Sequence, residues 1–263
     1  MRTKIISVAN HKGGVGKTTT TASVSSILAS KGNKVLMIDL DAQANLTLSF
    51  MKSEPAVSVY DSLVYSKPLP VFHVNGNLDL IPASEALAQV DLDLAQRMAR
   101  EMILKKLLNT QQGYDFIFID CPPSLGLMTL NAFTASDFVI LPIVAEVLPT
   151  KGLVRIYNFL KSVQDNLNPD VRILGILITR WEGTNLSRSV EGIVRKQFGD
   201  TVFKVKIRKN VSIAEAPNSA KNIVEYAPKS NGAADYISFT DELLDRLEHI
   251  KYKICTIKLA ILR

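Results

Sequence analysis

Apolar residues fall into two rhythms along this chain. Residues 5–9, 35–38, 116–119, 138–143 and 173–178 are continuous or nearly continuous apolar runs without polar alternation. Runs of this kind suit parallel strands covered on both faces. A weaker run at 78–81 is stopped by Pro82. Between the runs, apolar residues recur at helical spacing over 18–30, 92–108, 125–135, 150–167, 186–198 and 233–250. The first of these ends at Lys31-Gly32, a helix stop signal. Strands alternating with helices predict an α/β fold, a doubly wound and mostly parallel sheet with helices on both faces. No repeat, low-complexity segment or linker divides the chain. Residues 1–250 read as a single domain and 251–263 as a tail.

Composition narrows the class. The chain has 263 residues, 47% hydrophobic and 21% charged, enough for one large core and too few charges for disorder. Cys121 and Cys255 offer neither a disulfide framework nor metal-ligand spacing, which suits reduced thiols in the cytoplasm. The N-terminal apolar run lacks the length and cleavage site of a signal peptide. No uncharged stretch reaches the ~20 residues of a membrane span. Residues 1–179 hold 16 basic and 15 acidic side chains, whereas residues 180–263 hold 15 and 10. The net charge of +6 therefore sits mostly in the last third and points to an anionic partner there.

The strongest chemistry follows the first run: Asn10-His11-Lys12-Gly13-Gly14-Val15-Gly16-Lys17-Thr18-Thr19, then a helical pattern. This is a variant of Gly-x-x-x-x-Gly-Lys-[Ser/Thr], with His11 where the first glycine would stand. Glycines let successive backbone N–H groups converge on phosphate oxygens, and the following helix N-terminus adds positive potential. Lys17 would neutralise β/γ oxygens and Thr18 would coordinate Mg2+. Two more runs end in acids, at Asp39-Leu40-Asp41-Ala42-Gln43 and at Asp120-Cys121-Pro122-Pro123-Ser124. Ligands of open α/β sheets bind at the carboxyl ends of strands, where these aspartates and the loop all stand. An aspartate after a buried strand needs a partner, and Mg2+ with its waters is one. The reading is a nucleoside triphosphatase binding ATP and Mg2+.

The loop with its second lysine, Lys12, resembles the deviant Walker A family of partition and division-site ATPases. Asp39-Leu40-Asp41-Ala42-Gln43 and Phe118-Ile119-Asp120-Cys121-Pro122-Pro123-Ser124 resemble that family's aspartate motifs. Leu130-Asn131-Ala132 and Asn210-Val211-Ser212-Ile213-Ala214-Glu215-Ala216-Pro217 are most similar to the ParA/Soj branch. The resemblance spans roughly residues 4–250. It implies an ATP-dependent homodimer, non-specific double-stranded DNA binding, a nucleoid-associated location, and a ParB-type partner that stimulates slow hydrolysis. By position, Lys12 through Thr19 would hold the nucleotide, with Arg208 and Asn210 near its base. Lys12 would reach across the dimer, Asp41 would orient the attacking water, and Thr18 and Asp120 would hold Mg2+. DNA contacts would come from Arg188, Arg195, Lys196, Lys204, Lys206, Arg208, Lys209 and Lys221. Two departures stand out: Arg208-Lys209-Asn210 where the branch has Pro-Arg-Asn, and Ser212 where a basic residue often follows.

Three alternatives remain. A MinD-like membrane-cycling ATPase would use a basic amphipathic tail, and Ile250, Ile254, Ile257 and Ile261 do fall at helical spacing among Lys251, Lys253, Lys258 and Arg263. An electron-transfer iron protein would need two cluster cysteines per subunit, unlike Cys121 and Cys255. A scaffold with a degenerate site would not need the full set of phosphate and metal residues found here.

Overall fold

The computed structural model describes residues 2–145, 149–219 and 221–261. Eight strands form one sheet: β1 Lys4–Val8, β2 Val35–Asp39, β3 Phe72–Asn75, β4 Leu78–Ile81, β5 Phe116–Asp120, β6 Phe138–Val144, β7 Arg172–Trp181 and β8 Val202–Arg208. Their order is β3-β4-β2-β5-β1-β6-β7-β8. All pairs are parallel except β3 with β4, joined at a turn where Gly76 takes φ 47°. The α-helices are α1 Lys17–Ser30, α2 Asn45–Leu48, α3 Val59–Tyr65, α4 Val90–Asp93, α5 Ile103–Leu108, α6 Leu127–Ala135, α7 Pro149–Asn166, α8 Asn185–Phe198, α9 Val211–Glu215, α10 Ile223–Tyr226 and α11 Asn231–Ile261.

The sheet is covered on both faces, as the unbroken apolar runs require. On one face Val24, Ile27 and Leu28 of α1 and Tyr236, Phe239 and Leu243 of α11 pack over Met37, Phe118 and Ile140. On the other, Phe133 of α6 and Leu153, Ile156 and Leu160 of α7 pack over Ile119, Leu141 and Ile178. Every residue of β2, β5 and β6 is buried.

Three expectations change. The helix expected over 92–108 is broken. α4 stops at Asp93, Ala99 takes a left-handed φ of 53°, and α5 restarts at Ile103. Arg97 compensates for the missing helical bonds by donating to the carbonyls of Leu63 and Val64 and to Ser66 Oγ, so the segment is tied to α3. β8 falls in a segment read only as basic. It is an edge strand with Lys204 and Arg208 exposed and Val202, Phe203 and Ile207 buried. The last helix does not stop near residue 250, because no glycine or proline interrupts the sequence, and its backbone runs to Ile261. The side chains of the proposed lipid-facing tail, Ile254, Ile257 and Ile261, lie outside the described residues. No described helix is long and apolar enough to cross a membrane.

Candidate nucleotide site

Three adjacent strands bring the sequence motifs together. Val8 is in register with Asp120, and Asp120 with Asp39, so β1, β5 and β2 end side by side. The loop leaving β1 is anchored at its start, where Asn10 Nδ2 donates to Pro142 O at 2.6 Å and Asn10 Oδ1 accepts from Lys12 N at 3.0 Å. It is held below by Thr179 at the end of β7, whose hydroxyl lies 2.8 Å from Val15 O and 3.0 Å from Ile143 O. Gly14 and Gly16 take φ of 71° and 90°, conformations a side chain would strain. His11 fits beside Gly152 of α7, where an added Cβ would come within 2.3 Å of its Cε1. Burial, then Arg155, Lys17 and Lys12, push its pKa down, so the imidazole adds no charge to the loop.

Lys17 opens α1 and is buried, its ammonium 3.4 Å from Lys12 O. Thr18 and Thr19 are half-buried in the same first turn, and Lys12, Gly13 and Gly14 are exposed. Lysine, helix terminus and exposed loop amides together form a concentrated anion site.

The aspartates differ sharply. Asp39 is buried but satisfied: it accepts from Thr47 N at 2.9 Å, Thr47 Oγ1 at 2.8 Å and Asp41 N at 3.1 Å. Burial still pushes its pKa up to about 6 against those bonds. Asp120 is fully buried, and neither carboxylate oxygen has a hydrogen-bond partner. Burial and the neighbouring Asp39 raise its pKa well above the usual range, and nearby Thr18 and Lys17 only partly offset this. A buried, unpartnered carboxylate facing a threonine hydroxyl and a phosphate loop fits a divalent cation. No described cluster of three or more His, Cys, Asp or Glu could hold a metal without help. Mg2+ does not need one, because it usually takes one or two carboxylates plus substrate phosphates and water. Asp41 is half-buried at the cleft, its Oδ1 accepting from Gln43 N at 3.1 Å.

Lys17, Thr18, Asp41 and Thr179 line one cleft of about 890 Å3, the size of a small-ligand site, whereas Asp39 and Asp120 are fully buried and not part of its lining. Gly13 to Thr19 form its floor, and Asp41, Gln43, Asn45 and Leu48 one flank. The other flank is Ile207 to Val211 with Ile213, Pro217 and Tyr236. Arg208 and Asn210, expected near the base, are both on this flank; Asn210 caps α9 by accepting from Ser212 N at 2.8 Å.

The eight basic residues expected at DNA differ in pairing rather than in exposure alone, since Arg208 and Lys209 are exposed as well. Arg188, Lys196, Lys204 and Lys221 are exposed. The other four are ion-paired: Arg195 and Lys206 with Glu191, Arg208 with Asp235, and Lys209 with Glu182. Lys206 also lies 4.2 Å from the Trp181 ring centroid, a cation–π contact that holds it against β7.

Sequence reasoning missed Thr179 and Asp235. Thr179 carried a usable signal, a lone hydroxyl at the carboxyl end of an apolar run. Asp235 carried none, because it acts on a residue 27 positions away.

A model of the AAA domain family matches residues 3–173. The sporulation initiation inhibitor protein Soj of Bacillus subtilis is 42% identical over 91% of this chain and 98% of its own. The chromosome partitioning protein ParA of Caulobacter vibrioides is 35% identical, covering 92% and 94%. Among solved structures, a cobyrinic acid a,c-diamide synthase from Mycobacterium smegmatis with bound ATP analog and magnesium matches at TM-score 0.82 and 35% identity, covering 94% and 96%.

Proposed function

Because the chain belongs to the Soj/ParA family of chromosome-partitioning ATPases, we propose that it binds ATP with Mg2+ in this cleft and hydrolyses it to drive DNA partitioning. The observation that carries the chemistry is Asp120, a buried carboxylate with no partner of its own, beside Thr18 and Lys17. Thr18 and Asp120 would hold the metal, which when bound draws charge from the β- and γ-phosphate oxygens.

The chain's own groups do the rest. The amides of the glycine loop and the first turn of α1 cradle the phosphates, and Lys17 neutralises them. Asp41 orients the attacking water. Its turn is fixed by its own N–H to Asp39 Oδ1 and by Gln43 N–H to its Oδ1. A single carboxylate that positions water is modest catalysis, so basal turnover is slow and open to stimulation by a ParB-type partner. Lys12, exposed on the outer side of the loop, supplies a second cation to the nucleotide of a partner subunit in an ATP-dependent homodimer. Arg188, Lys196, Lys204 and Lys221, all exposed, are the contacts to duplex DNA in this reading. Doubling them in a dimer couples affinity to ATP without any contact between ATP and DNA. The alternative reading, a membrane-cycling ATPase that uses the 251–263 tail, is read out by liposome binding after truncation at residue 250.

The test is phosphate release with ATP and Mg2+, with and without duplex DNA and a ParB-type protein. Wild type should turn over slowly and accelerate when both are present. Lys17→Ala should lose nucleotide binding in calorimetry. Unchanged ATP affinity in that variant would remove Lys17 from the phosphate site.

A further inference from the structure

The flank of the cleft from Ile207 to Pro217 is a short strand end followed by a five-residue helix. Neither piece is long enough to fix its own position. What fixes it lies on α11. Asp235 accepts the backbone N–H of Arg208 at 2.9 Å, and its two oxygens take the guanidinium through Nε at 2.9 and 3.1 Å and Nη2 at 2.6 Å. The Asp235 side chain is nearly buried, at 11% exposure, whereas the Arg208 side chain is 44% exposed. Fork-shaped pairing of this type sets geometry as well as charge. Beside it, Ile213 of α9 fits over Gly232 of α11, where an added Cβ would meet its Cγ1 at 2.8 Å. Next in sequence to Asp235, Tyr236 lines the cleft and shares a 3.2 Å contact with Thr20 of α1.

We propose that Asp235 is a positioning residue for nucleotide-base recognition, acting through Arg208 to hold the Ile207–Pro217 flank against the base. This rests on ATP being the ligand of the cleft. Lys17 and Thr18 mark the phosphate end, so the base falls toward a flank. The 207–217 flank offers what a purine needs: flat apolar surface from Ile207, Val211 and Ile213, and one amide, Asn210. Arg208 offers both a backbone N–H and a guanidinium, and Asp235 takes up both. The flank is thus held by a fork-shaped ion pair.

Glu242 provides the internal control. Seven residues further along α11, it accepts the N–H groups of Lys204 and Val205, both at 2.9 Å, and so holds the same strand away from the cleft.

The experiment is calorimetry of Mg·ATP and of Mg·tripolyphosphate, which lacks a base, with steady-state kinetics. Freeing the flank lowers the fraction of binding-competent protein, and apparent affinity falls in proportion. Asp235→Asn should weaken ATP about tenfold, raise KM with kcat retained, and leave tripolyphosphate within about twofold. Arg208→Met should do the same and add nothing when combined with Asp235→Asn. Glu242→Gln should lower the melting temperature without changing ATP affinity. If Asp235→Asn does not fold, Arg208→Lys, which keeps the charge but cannot span both oxygens, should show the same ATP-specific loss. Unchanged ATP affinity, equal loss for both ligands, or additive losses in the double variant would overturn the proposal. Wild type that binds tripolyphosphate but not ATP would instead sink the assignment of the ligand.

Discussion

Replacing Asp120 with asparagine should stabilise the nucleotide-free protein while crippling its use of metal and nucleotide. The carboxylate is fully buried, both oxygens lack partners, and Asp39 stands in register on the next strand. An asparagine keeps the shape and removes the charge. An unpaired buried group costs more when charged than when neutral, so exchanging the carboxylate for an amide recovers a difference on the order of 1–3 kcal/mol. For a domain of this size each kcal/mol is worth roughly 2–4 °C, so the apo melting temperature should rise by about 2–12 °C. The gain should depend on pH in a defined direction. The folded pKa of Asp120 is raised above its unfolded value, so the folded state holds the proton more tightly. Wild-type stability from this group is therefore complete below about pH 4 and is lost as pH rises through the folded pKa. The variant's advantage should be absent in acid and grow toward neutral and alkaline pH. With Mg·ATP the order should invert, because the metal needs the ionised carboxylate, and metal-dependent affinity should fall about 10–100-fold. Thermal unfolding with chelator and with Mg·ATP, across a pH series, reads both limbs. An Asp120→Asn protein less stable than wild type in chelator at pH 8 would refute the reasoning.

Three further outcomes follow from the same site. Asp41→Ala should retain ATP binding and lose about 10²–10⁴-fold in phosphate release, and release at the wild-type rate would show that Asp41 does not position the water. Thr179→Val keeps the volume but leaves the carbonyls of Val15 and Ile143 without this donor, so stability should drop by about 1–3 kcal/mol in denaturant titration, with ATP affinity falling as the loop loosens. Charge reversal at Arg188, Lys196 and Lys204 should weaken binding to unrelated duplexes alike and flatten the salt dependence, by about 0.9 in log–log slope for each phosphate no longer neutralised. Sequence-selective weakening would point to base recognition instead.

What could be read from the sequence follows burial. β1, β2, β4, β5, β6 and β7 showed as apolar runs because each lies inside the sheet with both faces covered. β3 and β8, at the two edges, did not. Phe72-His73-Val74-Asn75 is short and mostly exposed, and the lysines of β8 hid its strand character behind its charge. The broken helix at 92–108 deceived because apolar spacing survived the break, leaving Leu92 and Met98 exposed at 79% and 93%. At the site, the phosphate loop and its aspartates were legible because each sits next to its own strand. The difference between Asp39 and Asp120 was not. Thr47, on the next helix, satisfies one and nothing satisfies the other, which only the folded arrangement reveals.

The sheet order has a consequence for how this chain can vary. The groups that meet the phosphates come from β1, β2 and β5, neighbours in space whose spacing is set by ladder register, not by the length of chain between them. The excursion from β2 to β5 runs through α2, α3, β3, β4, α4 and α5, and it closes on an exposed turn near Gln112 and Gly113, where Gly113 takes φ 90°. Lengthening, shortening or even severing the polypeptide at that turn leaves the three strand ends where they were. The strand-end geometry is thus insulated from the length of that turn, although α2 of the same excursion supplies Thr47 to Asp39 and Asn45 and Leu48 to the cleft.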